Sequence, residues 1–544
     1  MNAPPPERPW FFPAALTAVL LLAIALRLHG IHDPILDHPA WRQGDTASIA
    51  RNFARLRYNV MYPQTSYDGP PPNYVELELQ IVPFLAATLY KAAGIHEIFG
   101  RLITLAFSVA TVGVVGLFAR WLSGSRLAGI VAAFFFAIFP GSIYYGRTFT
   151  PDTAMVFFLT AALYAVTRFL LEDDALSPRA LARCTALLTF AYLAKPVALL
   201  GIVAVAAVIW QRARQRRPMR VTALIVIVAV PVVILALYDR RIASYAEWHW
   251  ASGITRLHVL PALRTAFTSG AGFAAKLVWF RIVLGMLRQT MLGTLPFLLA
   301  IASFAALAWV PIRSRPAVFG WLAGGLAYVY VVVTVERVDY YMAPLLPPAA
   351  IAIGCASAWA LRALWRADVG VAARYALASL LPILGLVSLV QARAAVAPYY
   401  HYNRAVYRNA VFLDRTLDRG ALVVIGHYGP DVQYYIDRFG WEEDPQLWTP
   451  FDEESAIRKG ARYFISIEDN RLRANVELCA WLQRFPVLNR TAQWPVYHTD
   501  PAFELPGADR FWRAFRVAER ARRGRPFLDA HGLCRVARRP LSVR

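Results

Sequence analysis

Apolar residues along this chain come in blocks separated by short, arginine-rich polar stretches, rather than alternating singly. Eleven blocks approach the roughly 20 residues that carry a helix across a bilayer, at about 10–29, 100–120, 127–146, 154–171, 180–195, 197–211, 220–238, 291–310, 316–334, 342–362 and 373–392. The fifth and sixth meet at Lys195-Pro196 and predict a tight helical hairpin, short for two full crossings. The apolar segment 78–94 is shorter and contains Pro83. It predicts a helix lying on the outer membrane surface, because a crossing there would move every later arginine loop to the other side. Residues 245–250 (YAEWHW) have the composition of an interfacial aromatic belt. After about residue 393 the pattern changes. Residues 421–425 and 462–467 read as short buried strands and 431–439 as a helix, predicting a small α/β domain.

Composition narrows the class. Of 544 residues, 58% are hydrophobic and 17% charged, with a mean hydropathy of +0.41. A soluble enzyme would carry about 25% charged residues, so a soluble, disordered or fibrous protein is excluded in favour of a polytopic helical membrane protein. The formal charge is +22 with only four lysines, Lys91, Lys195, Lys276 and Lys459. Such a balance could signal nucleic-acid binding, but the basic residues sit in short loops between apolar blocks, so it reports topology and no nucleic-acid partner. An internal N-terminus puts the loops 120–126, 172–183, 211–220, 311–316 and 361–374 in the cytoplasm. The dense set Arg212, Arg214, Arg216, Arg217 and Arg220 then faces inward. The loops 30–99 and 239–290 and everything after about 393 face outward. The expected organisation is a membrane domain over 1–392, including the first outer loop 30–99, and an extracytoplasmic α/β domain over 393–544. The expected location is a bacterial plasma membrane. Residues 1–9 show no small-residue cleavage site, so the first block is expected to stay as a helix. Cys184 and Cys355 lie in apolar blocks as packing residues; Cys479 and Cys534 share the C-terminal region, where a disulfide is possible. No CxxC or His/Cys cluster suggests structural zinc.

Ionisable residues at a membrane edge are costly and therefore informative. Asp45 lies in WRQGDTASIARNF, close behind Arg42 and near the start of a helical pattern, where a carboxylate has a plain role as a cap or first-turn anion. Glu76 precedes the surface helix. Arg147 and Asp152 occupy the turn RTFTPD between the third and fourth blocks. Lys195 stands in LAKP within an otherwise apolar run, and Arg337, Tyr340 and Tyr341 belong to the outer turn ERVDYY. Carboxylates Asp45, Glu76 and Asp152 with cations Arg147, Lys195 and Arg337 fit interhelical salt bridges. They equally fit an active site in which cations hold a phosphate and a carboxylate deprotonates an acceptor.

The ordered set WRQGDTASIARNF, RTFTPDTAMVFF, LAKPVALL and RVDYYMAPLLPPAA, spread over about the first 360 residues, resembles the GT-C superfamily of glycosyltransferases. Within it the resemblance is to family 39, which includes protein O-mannosyltransferases and lipid A aminoarabinose transferases. The resemblance implies a polyprenyl-phosphate sugar donor and a lipid, glycan or protein acceptor, with transfer at the outer membrane face. It implies Asp45 as catalytic base and Asp152 as the acid organising the site. Arg42, Glu76, Arg147, Lys195, Arg337, Tyr340 and Tyr341 become substrate-binding residues, with Lys195 and Arg147 facing the donor phosphate. Two departures stand out: Gly44-Asp45-Thr46 offers one carboxylate where many relatives have Asp-Glu, and Val75-Glu76-Leu77-Glu78 replaces a Glu-Lys-Pro-Pro type of segment. A divalent cation is left open by them rather than implied. A lipid-linked glycan flippase, and a ligase or polymerase moving a whole oligosaccharide, are the alternative readings. His427, Tyr428, Tyr434 and Tyr435 are expected to serve domain packing.

Overall fold

The computed structural model describes residues 10–246, 261, 264, 270–488, 493–508, 512, 513 and 516. By packing the chain divides into two compact units. The first comprises Met1–Asp33, Glu76–Tyr245 and Trp250–Tyr400, and the second is built from Pro34–Val75 and the chain from His401 onward.

The first unit is helical throughout its described part. Helices stand at all eleven predicted blocks, but length separates them. Seven are long and apolar enough to cross a membrane, and an eighth if one bent pair is counted as a single span. Phe11–Arg27 and Arg126–Ile138 are shorter apolar helices, and Pro178–Ala194 has 17 residues. Proline explains the shortening of the last two, since the residue before it is disfavoured in the helical region. Phe139 precedes Pro140 and ends Arg126–Ile138; Lys195 precedes Pro196 and ends Pro178–Ala194. The segment predicted as a surface helix forms Ile81–Ala93, 13 residues, too short to span. The predicted second outer loop is interrupted. A helix Gly270–Met286 begins inside it, continues through a π-helical turn Leu287–Leu292, and bends by 107° into Thr294–Ala306. Gly293 makes that bend at φ 85°, a conformation that a side chain would strain. Most of the aromatic set 245–250 lies outside the described residues.

The second unit is built on a five-stranded sheet, β1 Leu422–Gly426, β2 Gly440–Glu443, β3 Ala461–Ser466, β4 Val487–Leu488 and β5 Val496–His498, in the order β2-β1-β3-β5-β4. The first three strands are parallel; β5 pairs antiparallel with both β3 and β4. Alternation sends Val423, Ile425, Tyr463 and Ile465 into one core, and Val424 and Phe464 into the other with Trp481. The two strands and the helix Pro430–Ile436 lie where the hydrophobic pattern put them, whereas β2 was not foreseen.

The domain boundary differs from the one expected. Residues 34–75 of the first loop pack with the C-terminal sheet: the Gly69 N–H donates to the Gly440 carbonyl at 2.8 Å, and the Gly440 N–H to Ser66 at 3.1 Å. The Ile35 N–H reaches the Tyr435 hydroxyl at 2.8 Å, and Arg51 stacks over Tyr434 at 4.4 Å. Tyr434 and Tyr435 therefore hold the loop to the sheet. Cys479 is buried and is not a free thiol; its proposed partner Cys534 lies outside the described residues.

Candidate active site

Pro196 sets the first element of the site. It forces Lys195 out of helical geometry, to φ −165° and ψ 125°, and the chain resumes as a 3-10 turn Pro196–Gly201 before the helix Ile202–Arg214. Lys195 thus projects from a helix break, buried, with its Nζ 2.6 Å from Asp152 Oδ1. Asp152 opens the helix Asp152–Glu172 immediately after Pro151, where the N-terminal end of the helix favours a carboxylate. The second carboxylate oxygen of Asp152 is buried without a hydrogen-bond partner among the described residues. Two aromatic rings complete the surroundings of the cation: Lys195 Nζ lies 4.3 Å from the ring centre of Tyr341 and 5.5 Å from that of Tyr340.

Lys195 and Tyr341 line a cavity of about 670 Å³ within the first unit, in the range of small-molecule sites. Glu76, Glu78, Asp239 and Arg240 add charged groups to its wall, while Leu199, Leu200, Ile202 and Val203, with Val331 and Val332 of the π-helical turn Val329–Val333, supply an aliphatic side. The segment carrying Glu76 and Glu78 is pinned by backbone contacts. The Leu79 N–H donates to Leu193 at 2.8 Å, and the Tyr238 hydroxyl to the Leu77 carbonyl at 3.2 Å.

Five predicted residues therefore come together: Glu76, Asp152, Lys195, Tyr340 and Tyr341. Two others of the same unit sit elsewhere. Arg147 is buried between the rings of Tyr144 and Tyr400, at 4.9 and 4.5 Å, and donates to the Gly30 carbonyl at 3.0 Å. Arg337 stacks over Trp279 at 4.0 Å. Neither lines the cavity. Sequence reasoning noted Glu78 beside Glu76 without assigning it to the site, and missed Asp239 and Arg240, whose one visible signal was a pair of opposite charges directly after the apolar block 220–238.

Asp45 and Arg42 belong to the second unit. The expectation of a helix cap at Asp45 is corrected: the helix is Ala40–Arg55, so Asp45 lies in its second turn, fully buried. Its Oδ2 accepts from Arg42 at 2.8 Å and its Oδ1 from the Tyr67 hydroxyl at 2.8 Å. Burial, the Asp45 and Glu442 charges and the bond to Asp45 push the Tyr67 phenol well above its ordinary range, so it keeps the proton it donates. Gly44 lets this helix approach Pro430–Ile436 closely, since a Cβ there would stand 2.4 Å from the Asp431 backbone. Glu442, buried near Asp68, Glu443, Asp431 and Asp45, is pushed well above the usual carboxylate range by burial and by those charges, in that order. No three His, Cys, Asp or Glu side chains among the described residues are grouped to hold a metal ion.

Comparison with known proteins agrees on the fold. Residues 80–236 match the family model for dolichyl-phosphate-mannose-protein mannosyltransferase. No curated protein sequence matches the chain. Among solved structures, ArnT from Cupriavidus metallidurans in the apo state aligns with a TM-score of 0.58 at 14% identity, covering 91% of this chain and 99% of that one. The same enzyme bound to undecaprenyl phosphate gives 0.56 at 16%, covering 92% and 100%. The archaeal oligosaccharyltransferase AglB from Archaeoglobus fulgidus, in complex with an inhibitory peptide and a dolichol-phosphate, gives 0.57 at 13%, covering 91% and 75%.

Proposed function

From the premise that this chain has the fold of the GT-C membrane glycosyltransferases, we propose that it transfers a sugar from a polyprenyl-phosphate donor to an acceptor hydroxyl at the outer face of the membrane. The observation that carries this reading is the buried Lys195–Asp152 pair under Tyr340 and Tyr341, at the wall of a cavity with one polar and one aliphatic side. Such a cavity suits an amphiphile with a charged head and a hydrocarbon tail. The two ArnT and AglB complexes, which hold undecaprenyl phosphate and a dolichol-phosphate, support it.

In this mechanism the phosphate oxygen of the donor leaves the anomeric carbon with a growing negative charge. Lys195, oriented by Asp152, offsets that charge in surroundings drier than bulk water, and this lowers the barrier rather than merely tightening binding. Glu76 and Asp239 accept hydrogen bonds from sugar hydroxyls. Asp45, oriented by the bonds it accepts from Arg42 and Tyr67, serves as the base that takes the proton of the acceptor hydroxyl.

Purified protein in lipid, given a radiolabelled polyprenyl-phosphate sugar and envelope extract, should form labelled glycoside. Asp45→Asn is expected to lower turnover by about 10²–10⁴, and a circular-dichroism spectrum matching the parent's shows that the loss is not unfolding. Labelled lipid that changes leaflet without forming glycoside would support a flippase instead, and transfer of an oligosaccharide a ligase.

A further inference from the structure

Asp339 has no part in the chemistry above, yet it is 2% exposed and gathers donors from three other stretches of the first unit besides its own turn. Its Oδ1 accepts from the Tyr145 hydroxyl at 2.5 Å and from the Tyr340 N–H at 2.8 Å. Its Oδ2 accepts from the Tyr399 hydroxyl at 2.6 Å and from Thr290 Oγ1 at 2.9 Å. Tyr145 ends the helix Pro140–Tyr145, Thr290 sits in the π-helical turn Leu287–Leu292, and Tyr399 lies in the turn Ala397–Tyr400 that follows the last long helix. Hydrogen bonds to an ionised acceptor are roughly twice as strong as neutral ones, so this carboxylate is a firm anchor.

What it anchors is the turn Asp339–Leu345, the stretch that carries Tyr340 and Tyr341. The rings continue the clasp: Tyr145 packs on Tyr340 at 5.5 Å, and Tyr340 meets Tyr341 edge-on at 4.9 Å. We propose that Asp339 is a positioning residue, whose four hydrogen bonds hold Tyr340 and Tyr341 against Lys195, so that the cation is covered by aromatic surface and directed at the anionic head group of the ligand. The identity of that ligand rests on the function proposed above; the covering of Lys195 does not. Water excluded from one side of a cation strengthens its attraction for a phosphate. An asparagine at 339 would keep one acceptor oxygen, lose the charge and turn an amide nitrogen towards two hydroxyls.

The chain's four lysines make the test direct. Full-length protein in lipid nanodiscs is treated with an amine-acylating reagent, and labelling of each lysine is followed by mass spectrometry. In Asp339→Asn, Lys195 is expected to label at least about 5-fold faster. Lys276, held by the Val331 carbonyl at 2.7 Å and Thr334 at 3.1 Å, should keep its rate. Tyr341→Ala should expose Lys195 similarly, and the double variant should add little, as coupled neighbours do. Unchanged Lys195 labelling, a joint rise at Lys195 and Lys276, or additive effects in the double variant would each overturn the proposal. If Asp339→Asn does not fold, Tyr145→Phe and Tyr399→Phe each remove one donor while keeping the ring; a rise at Lys195 of about 2-fold or more in both is expected, and none would overturn it. Undecaprenyl phosphate binding, measured separately, should weaken by about 10-fold in Asp339→Asn, and an equal affinity counts against the positioning role. A parent protein that binds no polyprenyl phosphate defeats the donor assignment alone, because the lysine labelling still judges Asp339.

Discussion

At the residue scale, the ion pair of Lys195 and Asp152 and the buried Asp45 make unequal demands on substitution. Lys195→Met removes one partner of a buried pair and leaves the Asp152 carboxylate unmatched, which is typically destabilising by about 3–5 kcal/mol. Removing both, in Lys195→Met/Asp152→Asn, should recover much of the thermal stability but none of the transferase activity. Calorimetry beside the radiolabel assay separates the two. Titration offers a second check. Burial, with Asp68, Asp452 and Asp444 nearby, pushes the Glu443 carboxyl up to about 7. A carboxyl raised in the folded state contributes stability that is fully present below its ordinary value and is lost as pH rises through about 7. Hydrogen exchange of β2 in the full chain should therefore quicken between pH 5 and 8, and Glu443→Gln should flatten that dependence. A β2 that exchanges more slowly as pH rises, after correction for intrinsic rates, would contradict the assignment.

At the scale of elements, two local features determine where chemistry is placed. Pro196 breaks a helix so that Lys195 leaves it in extended geometry. Pro196→Ala relieves the restriction on Lys195, lets helix form across the break and should lower transfer by more than about 10-fold; far-UV circular dichroism should show helix retained. Gly44 lets Ala40–Arg55 sit against Pro430–Ile436. Gly44→Ala puts a methyl group into backbone atoms and should destabilise by about 1–3 kcal/mol, as overpacking does, read as a lower unfolding temperature. Both features are single letters in the sequence. Lys195-Pro196 was recognisable as a break because proline acts locally. The close approach at Gly44 was not, because its partner lies nearly four hundred positions away.

For the whole molecule, the arginine-rich loops give an orientation that can be measured. Exposed positions Tyr58 and Leu447 of the second unit, changed singly to cysteine, should react with a membrane-impermeant maleimide on intact cells, whereas Arg216→Cys should react only after lysis. Cys184 and Cys355 are buried and contribute little background. Equal labelling of all three positions without lysis would remove the proposed topology, and with it the outer-face reaction.

The sequence by itself determined the helical membrane class, the positions of the apolar blocks, the α/β character of the C-terminal region and the residue types available for a phosphate site. These follow from hydrophobic periodicity, proline breaks and charge distribution, all of which act over a few residues. Tertiary structure alone decided that residues 34–75 pack with the sheet, that Asp45 lies inside a helix and binds Tyr67, and that Arg147 and Arg337 are occupied by aromatic rings away from the cavity. It also decided which side chains surround Lys195: Asp152 from one helix start, Tyr340 and Tyr341 from a turn nearly 150 positions later, and behind them the Asp339 clasp. Such contacts depend on which distant surfaces bury each other, and no local pattern encodes that choice.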